Sequence, residues 1–177
     1  VYWNDVGLIK DRKSLNKYDW ITPDDYDYSR LDILDDFLPE GMKFIVYGPG
    51  GVLENVVSIV GYETLCYLMV DNPDLVNDIF TEVGQRLNRY YEICSKYESV
   101  GALISNDDWG FNTQTMLSVS DMRKYVFPQH KKIVNTIHDS GKPAILHSCG
   151  NLEEVMLDVI EEMNYEAKHS FEDNILP

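Results

Sequence analysis

Four short apolar runs alternate with longer segments of helical periodicity, and this order constrains the fold more than any other feature of the chain. The runs cover residues 43–47, 102–106, 144–148 and 167–171. Strands separated by helices predict an α/β fold with a parallel sheet and right-handed crossovers. The order suits both a doubly wound open sheet and a (β/α)8 TIM barrel. A complete barrel takes about 250 residues, so these 177 residues correspond to a partial barrel with about half the strands.

We predict one domain over residues 1–177, with a helical and loop segment over 1–40 followed by β/α units over 41–177. No run approaches the 18 or more consecutive apolar residues of a membrane span. The first residues lack the basic and apolar regions of a signal peptide. Three widely spaced cysteines do not form a disulfide framework. The expected setting is therefore a reduced, cytoplasmic one.

The charge balance bears on the partners of the protein. The net charge is −15, which argues against nucleic acid and against an anionic membrane surface. A pocket for a polycarboxylate should be rich in arginine, and this chain has only five arginines. A small-molecule substrate with few carboxylates is the expected ligand.

The third apolar run ends in a pair of possible metal ligands, His147 and Cys149. Side chains alternate along a strand with period two, so Ile145, His147 and Cys149 are expected on one face, at the carboxyl end of the strand. Parallel α/β folds place their chemistry at that end. An imidazole and a thiolate suit zinc, and they leave room for a third ligand and a substrate atom. The competing interpretation is a buried cysteine beside a histidine satisfied in the core.

Acidic side chains follow two other runs. Asp107 and Asp108 come after the second run, next to Trp109, while Glu172 and Asp173 come after the fourth. Adjacent acids point in different directions, so one is expected to face the interior of the barrel and the other to cap a loop. A carboxylate at a strand tip can accept a proton, hold a cation or ligate a metal. The alternative is a set of solvated loop acids.

Other candidate residues have simpler interpretations. Tyr47 ends the first run, where it could line the pocket or belong to the core. His169 lies within a run and is expected to be structural, whereas His130 and His138 follow Pro128 on a helix and are expected to be exposed. The glycine-rich segment 48–51 lacks the spacing of phosphate-binding loops and predicts a tight turn.

Several segments together resemble the uroporphyrinogen decarboxylase superfamily. The central one reads Leu-His-Ser-Cys-Gly-Asn over residues 146–151, and the resemblance extends over about residues 43–177. The other matching segments are 106–110 (Asn-Asp-Asp-Trp-Gly), 118–121, the helix around Pro128, 141–143 and 169–174. The resemblance implies a (β/α)8 barrel, in agreement with the alternation of elements.

This superfamily contains two chemistries, and the sequence resembles the cobalamin-dependent methyltransferase branch, of the corrinoid and coenzyme M type. That branch holds zinc with the His and Cys of a His-x-Cys motif and with a further cysteine downstream. The resemblance therefore implies His147 and Cys149 as zinc ligands, a methylcorrinoid as co-substrate, a thiol-type acceptor and a corrinoid protein as partner. No cysteine follows Cys149 in this sequence, so the third ligand is unassigned.

The remaining site residues receive roles on the same basis. Asp107, Asp108 and Glu172 are the candidate catalytic residues, and Tyr47, Trp109 and Asp173 are the candidate substrate contacts. A decarboxylase acting on a tetrapyrrole carboxylate, with Asp107 or Asp108 contacting the pyrroles, is the first alternative. A corrinoid- or tetrapyrrole-binding module without catalysis, or an inactive fragment, is the second. A homodimer could cover the open edges of a half barrel.

Overall fold

The computed structural model describes residues 7–171 and 175. Helical and loop elements come first, followed by four strands with helices between them. In chain order the elements are α1 (Arg12–Lys17), a 3-10 turn (Pro23–Asp25), α2 (Ser29–Phe37), β1 (Phe44–Tyr47), α3 (Val52–Val60), α4 (Tyr62–Asp71), α5 (Pro73–Cys94), β2 (Val100–Asn106), α6 (Val119–Asp121), a π-helical turn (Met122–Val126), α7 (Phe127–Asp139), β3 (Ala144–His147), a 3-10 turn (Glu153–Val155), a π-helical turn (Asp158–Glu162) and β4 (Ala167–His169).

All four strands are parallel and lie in the order β1-β2-β3-β4. Each strand therefore pairs with the next one along the chain, which is the order of successive units of a β/α barrel. A doubly wound sheet would reverse its strand order at a switch point. The register aligns Asn106 of β2 with His147 of β3, and His147 with His169 of β4. The predicted α/β fold, a partial TIM barrel, is confirmed.

The helices that cover one face of the sheet are called the helix layer, and helix α5 shows how such a helix forms and packs. Asn72 caps its first turn by accepting a hydrogen bond from the Leu75 amide at 3.3 Å, and Pro73 occupies the first helical position. Its apolar stripe is almost entirely removed from water, from Val76 to Leu87. Burial of such a stripe is the main stabilising contribution of a helix of this kind.

The other face of the sheet, which we call the inner face, carries Ile45, Tyr47, Ile145 and His147. Ile45 and Tyr47 are 57% and 46% exposed, while Val46 between them is buried against the helices. Strand β3 alternates in the same way, with Ala144 and Leu146 buried. In a closed barrel this face lines the interior.

No single helix among the described residues is long and apolar enough to cross a bilayer. Helices α3 and α4 pass that test only when they are joined, and they meet at 93°.

Candidate metal centre

Three side chains with metal-binding atoms converge at the carboxyl ends of β2 and β3. One ligand atom each of Asp108, His147 and Cys149 lies within 4.8 Å of the others. The Cys149 Sγ is 3.9 Å from His147 Nε2, and that nitrogen is 3.9 Å from Asp108 Oδ1. All three side chains are half-buried. The group is therefore reachable from solvent while being held in place by its surroundings.

Strand geometry accounts for the pairing of His147 with Cys149. His147 is the last residue of β3, and Cys149 follows it two positions later on the same face. Ser148, between them, is fully buried on the side of the helix layer. The two ligand atoms consequently project together from the carboxyl end of the sheet.

Asp108 reaches this pair because the segments that follow β2 and β3 are hydrogen-bonded to each other. Its Oδ1 accepts a hydrogen bond from the Cys149 amide at 2.9 Å. Backbone hydrogen bonds continue the pairing beyond the strands, from Asp107 N to His147 O (2.9 Å), from Gly110 N to Cys149 O (3.2 Å) and from Asn151 N to Phe111 O (2.7 Å). The position of the carboxylate is thus fixed by the backbone of the neighbouring loop.

Two glycines make this close approach possible. A Cβ atom on Gly150 would lie 2.2 Å from the carbonyl carbon and oxygen of Gly110, and Gly150 has φ of +88°. A Cβ atom on Gly110 would lie 2.9 Å from Gly150. At Gly150 only glycine fits both the space and the left-handed backbone conformation, while at Gly110 the lack of space alone favours glycine. The Gly residues of the Asp-Asp-Trp-Gly and His-Ser-Cys-Gly segments are therefore in direct backbone contact.

The donor set fits a zinc ion. Nitrogen, sulfur and carboxylate oxygen are the zinc ligands of proteins, with metal–ligand distances that make the edges of a tetrahedron about 3.3–3.7 Å long. The separations of 3.9 Å from His147 Nε2 to Cys149 Sγ and to Asp108 Oδ1 exceed those edges by about 0.2–0.6 Å, and all three atoms lie within 4.8 Å of one another. Three protein ligands leave the fourth position open, as in catalytic zinc sites.

Asp107 lies on the opposite side of the sheet from Asp108. It is fully buried, its Oδ2 accepts a hydrogen bond from the Leu53 amide at 2.9 Å, and its Oδ1 accepts one from the Glu54 amide at 3.0 Å. These amides open helix α3, so the carboxylate caps that helix from a distant part of the chain. Both oxygens of Asp107 are thus held by donors in the helix layer.

His130 is the buried partner of Asp107, and the expectation that it is exposed is wrong. Its side chain is 0% exposed, with Nε2 2.9 Å from Asp107 Oδ2 and Nδ1 2.8 Å from the Tyr165 hydroxyl. Ser105 Oγ lies 3.1 Å from the same Nδ1. His130 falls three, four and seven residues before Ile133, Val134 and Ile137, which are buried on α7. The helical periodicity of the sequence would therefore have predicted that His130 is buried.

The predicted substrate contacts are found in different environments. Trp109 is fully buried, with its ring 5.2 Å from that of Phe127 and 4.9 Å from that of His130, centroid to centroid. Tyr47 lies on the inner face, and its ring centroid is 5.8 Å from that of His147. Tyr47 thus adjoins the metal-binding group, whereas the Trp109 ring packs in the helix layer. Glu172 and Asp173 lie outside the described residues.

Two residues of the β4 end contact the metal-binding group without having been predicted to do so. His169 Nδ1 is 2.6 Å from His147 Nδ1, and Ser170 Oγ is 3.3 Å from Cys149 Sγ. The pairing of β3 with β4 brings them there, and this pairing is not visible in the spacing of single residues.

A parallel sheet of successive β/α units, with side chains that could hold a metal ion at the carboxyl ends of its strands, defines a protein of the β/α-barrel class. The chain belongs to the uroporphyrinogen decarboxylase (URO-D) family, whose model matches residues 25–175. This is a family with enzymatic members. No curated protein matches the chain.

Among solved structures, the chain is similar to a methyltransferase from Methanosarcina mazei, with a TM-score of 0.65 and 12% sequence identity. The match covers 78% of this chain and 39% of the methyltransferase chain. At this identity the likeness shows a shared fold. The chain corresponds to about two-fifths of the length of that neighbour.

Proposed function

We propose that this chain is part of a zinc-dependent methyltransferase that transfers a methyl group from a methylcorrinoid to a thiol-type acceptor. The observation that carries the proposal is the group formed by Asp108, His147 and Cys149 at the carboxyl end of the sheet. The solved methyltransferase with the same fold is consistent with it.

His147 Nε2, Cys149 Sγ and a carboxylate oxygen of Asp108 are the atoms that would hold the zinc. When bound there, zinc acts as a Lewis acid that keeps an acceptor thiol deprotonated near neutral pH. The inner face next to these ligands carries Ile45 and Tyr47, which offer apolar surface to the co-substrate. Asp108 thereby takes the role of metal ligand, and Glu172 stays a candidate for positioning the acceptor.

A sulfur–carbon bond forms to the acceptor as the cobalt–carbon bond of the methylcorrinoid breaks, and the electron pair of the broken bond remains on the cobalt. The proton of the acceptor thiol leaves to solvent before the attack. The methylcorrinoid reaches the site on a corrinoid protein, which is the partner that this proposal requires.

Metal analysis of the protein tests the proposal directly. We expect about one zinc per chain, lost in His147→Ala and in Cys149→Ser. Cys66→Ser is the matched control, because Cys66 is also half-buried but lies on α4, and it should keep the metal. Zinc that survives both site substitutions, or a protein that takes up no zinc, would refute the assignment.

The alternative activity, decarboxylation of a tetrapyrrole carboxylate, is favoured by the family that matches the chain. The arginines argue against it, because guanidinium groups are the usual partners of substrate carboxylates. Four of the arginines are paired with acids, as Arg12–Asp78, Arg86–Glu82, Arg89–Asp24 and Arg123–Asp158. Turnover of uroporphyrinogen by zinc-free protein, with no methyl transfer to a thiol from a methylcorrinoid, would establish the decarboxylase instead.

A further inference from the structure

We infer that His169 and Ser170, at the end of β4, are positioning residues that orient the two metal ligands of β3. His169 fixes the ring of His147 by accepting the hydrogen on its Nδ1, and Ser170 donates its hydroxyl hydrogen to the sulfur of Cys149. This inference rests on the proposed function, because it assigns the surroundings of the same zinc site.

The contact between the two histidines is set by the pairing of the strands. His147 and His169 are register partners in β3 and β4, their ring centroids are 4.8 Å apart, and their Nδ1 atoms are 2.6 Å apart. Two nitrogens bound to one tetrahedral zinc would be about 3.3 Å apart. The observed separation is that of a short hydrogen bond, so one nitrogen carries a hydrogen and the other accepts it.

The direction of this hydrogen bond follows from the other nitrogen of His147. Its Nε2 is the ring atom that lies 3.9 Å from both Cys149 Sγ and Asp108 Oδ1. A metal-binding nitrogen must present a lone pair, so in the neutral ring the hydrogen belongs on Nδ1. His169 is then the acceptor, as the partners of metal-binding histidines commonly are.

Ser170 has an unusual backbone that serves the contact with Cys149. Its φ is +75°, a conformation that non-glycine residues adopt only when the surrounding structure holds them there. Lys168 Nζ donates a hydrogen bond to the Ser170 carbonyl at 2.5 Å. In this conformation the hydroxyl lies 3.3 Å from Cys149 Sγ. A hydroxyl donor at this distance holds the sulfur in one direction, toward the other two metal-binding atoms.

Zinc affinity, measured by competition with a chromophoric chelator, tests the role of His169. We expect His169→Phe, which keeps a ring but removes the acceptor, to weaken zinc binding about 10–100-fold. His169→Gln restores an acceptor and should bind within a few-fold of the wild type. Equal zinc affinity in His169→Phe and the wild type would overturn the inference, as would equal weakening in both variants.

Cobalt(II) substitution and NMR give readouts that do not depend on turnover. The d–d bands of the cobalt protein should keep the intensity of a four-coordinate site in His169→Phe, because the ligand set is the same and only the orientation of the His147 ring is released. In the metal-free wild type, nitrogen-detected imidazole spectra should show His147 with its hydrogen on Nδ1. Loss of the four-coordinate intensity would mean that His169 is itself a ligand, and hydrogen on Nε2 would mean that the hydrogen bond runs the other way. Either result overturns the inference.

For Ser170 the matched variants are alanine and glycine. Both variants remove the hydroxyl and should shift the thiolate-to-cobalt charge-transfer band to longer wavelength. Only Ser170→Gly should also raise the melting temperature, because glycine releases the backbone strain. An unshifted band in both would overturn the role of Ser170. A wild-type protein that binds no metal overturns the proposed function and this inference together. Normal metal binding by the wild type and by all four variants overturns this inference alone.

Discussion

Replacing Asp107 with alanine should strongly destabilise the protein while leaving the metal-binding atoms intact. The substitution removes the acceptor for two backbone amides at the start of α3 and for the buried ring of His130. Loss of a helix N-cap costs about 1 kcal/mol, and each buried donor left without an acceptor costs about 1–3 kcal/mol. These costs overlap, so we expect a loss of about 3–5 kcal/mol, the range for breaking a buried pair.

Urea unfolding followed by circular dichroism measures this loss, and Asp108→Ala is the adjacent control. Asp108 is 30% exposed and accepts one backbone hydrogen bond, from the Cys149 amide, so its removal should cost less than about 1.5 kcal/mol. Zinc content should show the reverse pattern, being kept in Asp107→Ala below its melting temperature and lost in Asp108→Ala. If the two variants were equally stable, or if Asp107→Ala alone lost the metal, the separation of roles would be refuted.

Two further substitutions test the loop contact and the charge at the start of α3. Gly150→Ala forces a Cβ into the backbone of Gly110 and should cost about 2–5 kcal/mol in urea unfolding. Gly141→Ala should cost only about 1 kcal/mol, since Gly141 shares the positive φ (+75°) but has free space, and equal costs would contradict the packing argument. Burial, and then the charge of Asp107, raise the pKa of Glu54, so the folded state prefers its neutral form and loses stability as the pH rises through that pKa. The stability of Glu54→Gln relative to the wild type should therefore increase between about pH 4 and pH 7. The increase should be less than about 1 kcal/mol, because the side chain is partly exposed. A difference in stability that does not change with pH would rule this out.

The fold followed from the sequence because its signals are local. The four short runs contain strands of three to seven residues, and the adjacent residues Asn72 and Pro73 mark the capped start of α5. The period-two alternation also placed His147 and Cys149 on one face. Extending that alternation past β2 separates the two acids as well, since Leu103, Ser105 and Asp107 are all buried on the helix side.

The rest of the site depends on contacts between distant parts of the chain. Asp107 caps a helix whose bonded Leu53 amide lies 54 residues before it, and no local pattern indicates such a cap. Ser170 adopts a left-handed backbone conformation that its residue type does not predict. The burial of His130 could have been predicted from the apolar stripe of α7. The π-helical turn at Met122–Val126 lies directly before α7 and has more residues per turn, so the spacing of that stripe does not extend back into α6.

The back-to-back glycines at positions 110 and 150 have a consequence for anyone who re-engineers this scaffold. The turn at Gly110 and the turn at Gly150 each fit only where the facing turn also lacks a side chain. The two turns therefore have to be kept together, although 40 positions separate them. If only the turn that carries His147 and Cys149 were grafted into another barrel, its Gly150 would collide with the side chain of a facing residue. The collision would displace His147 and Cys149 from their positions. A successful transplant has to carry both turns together.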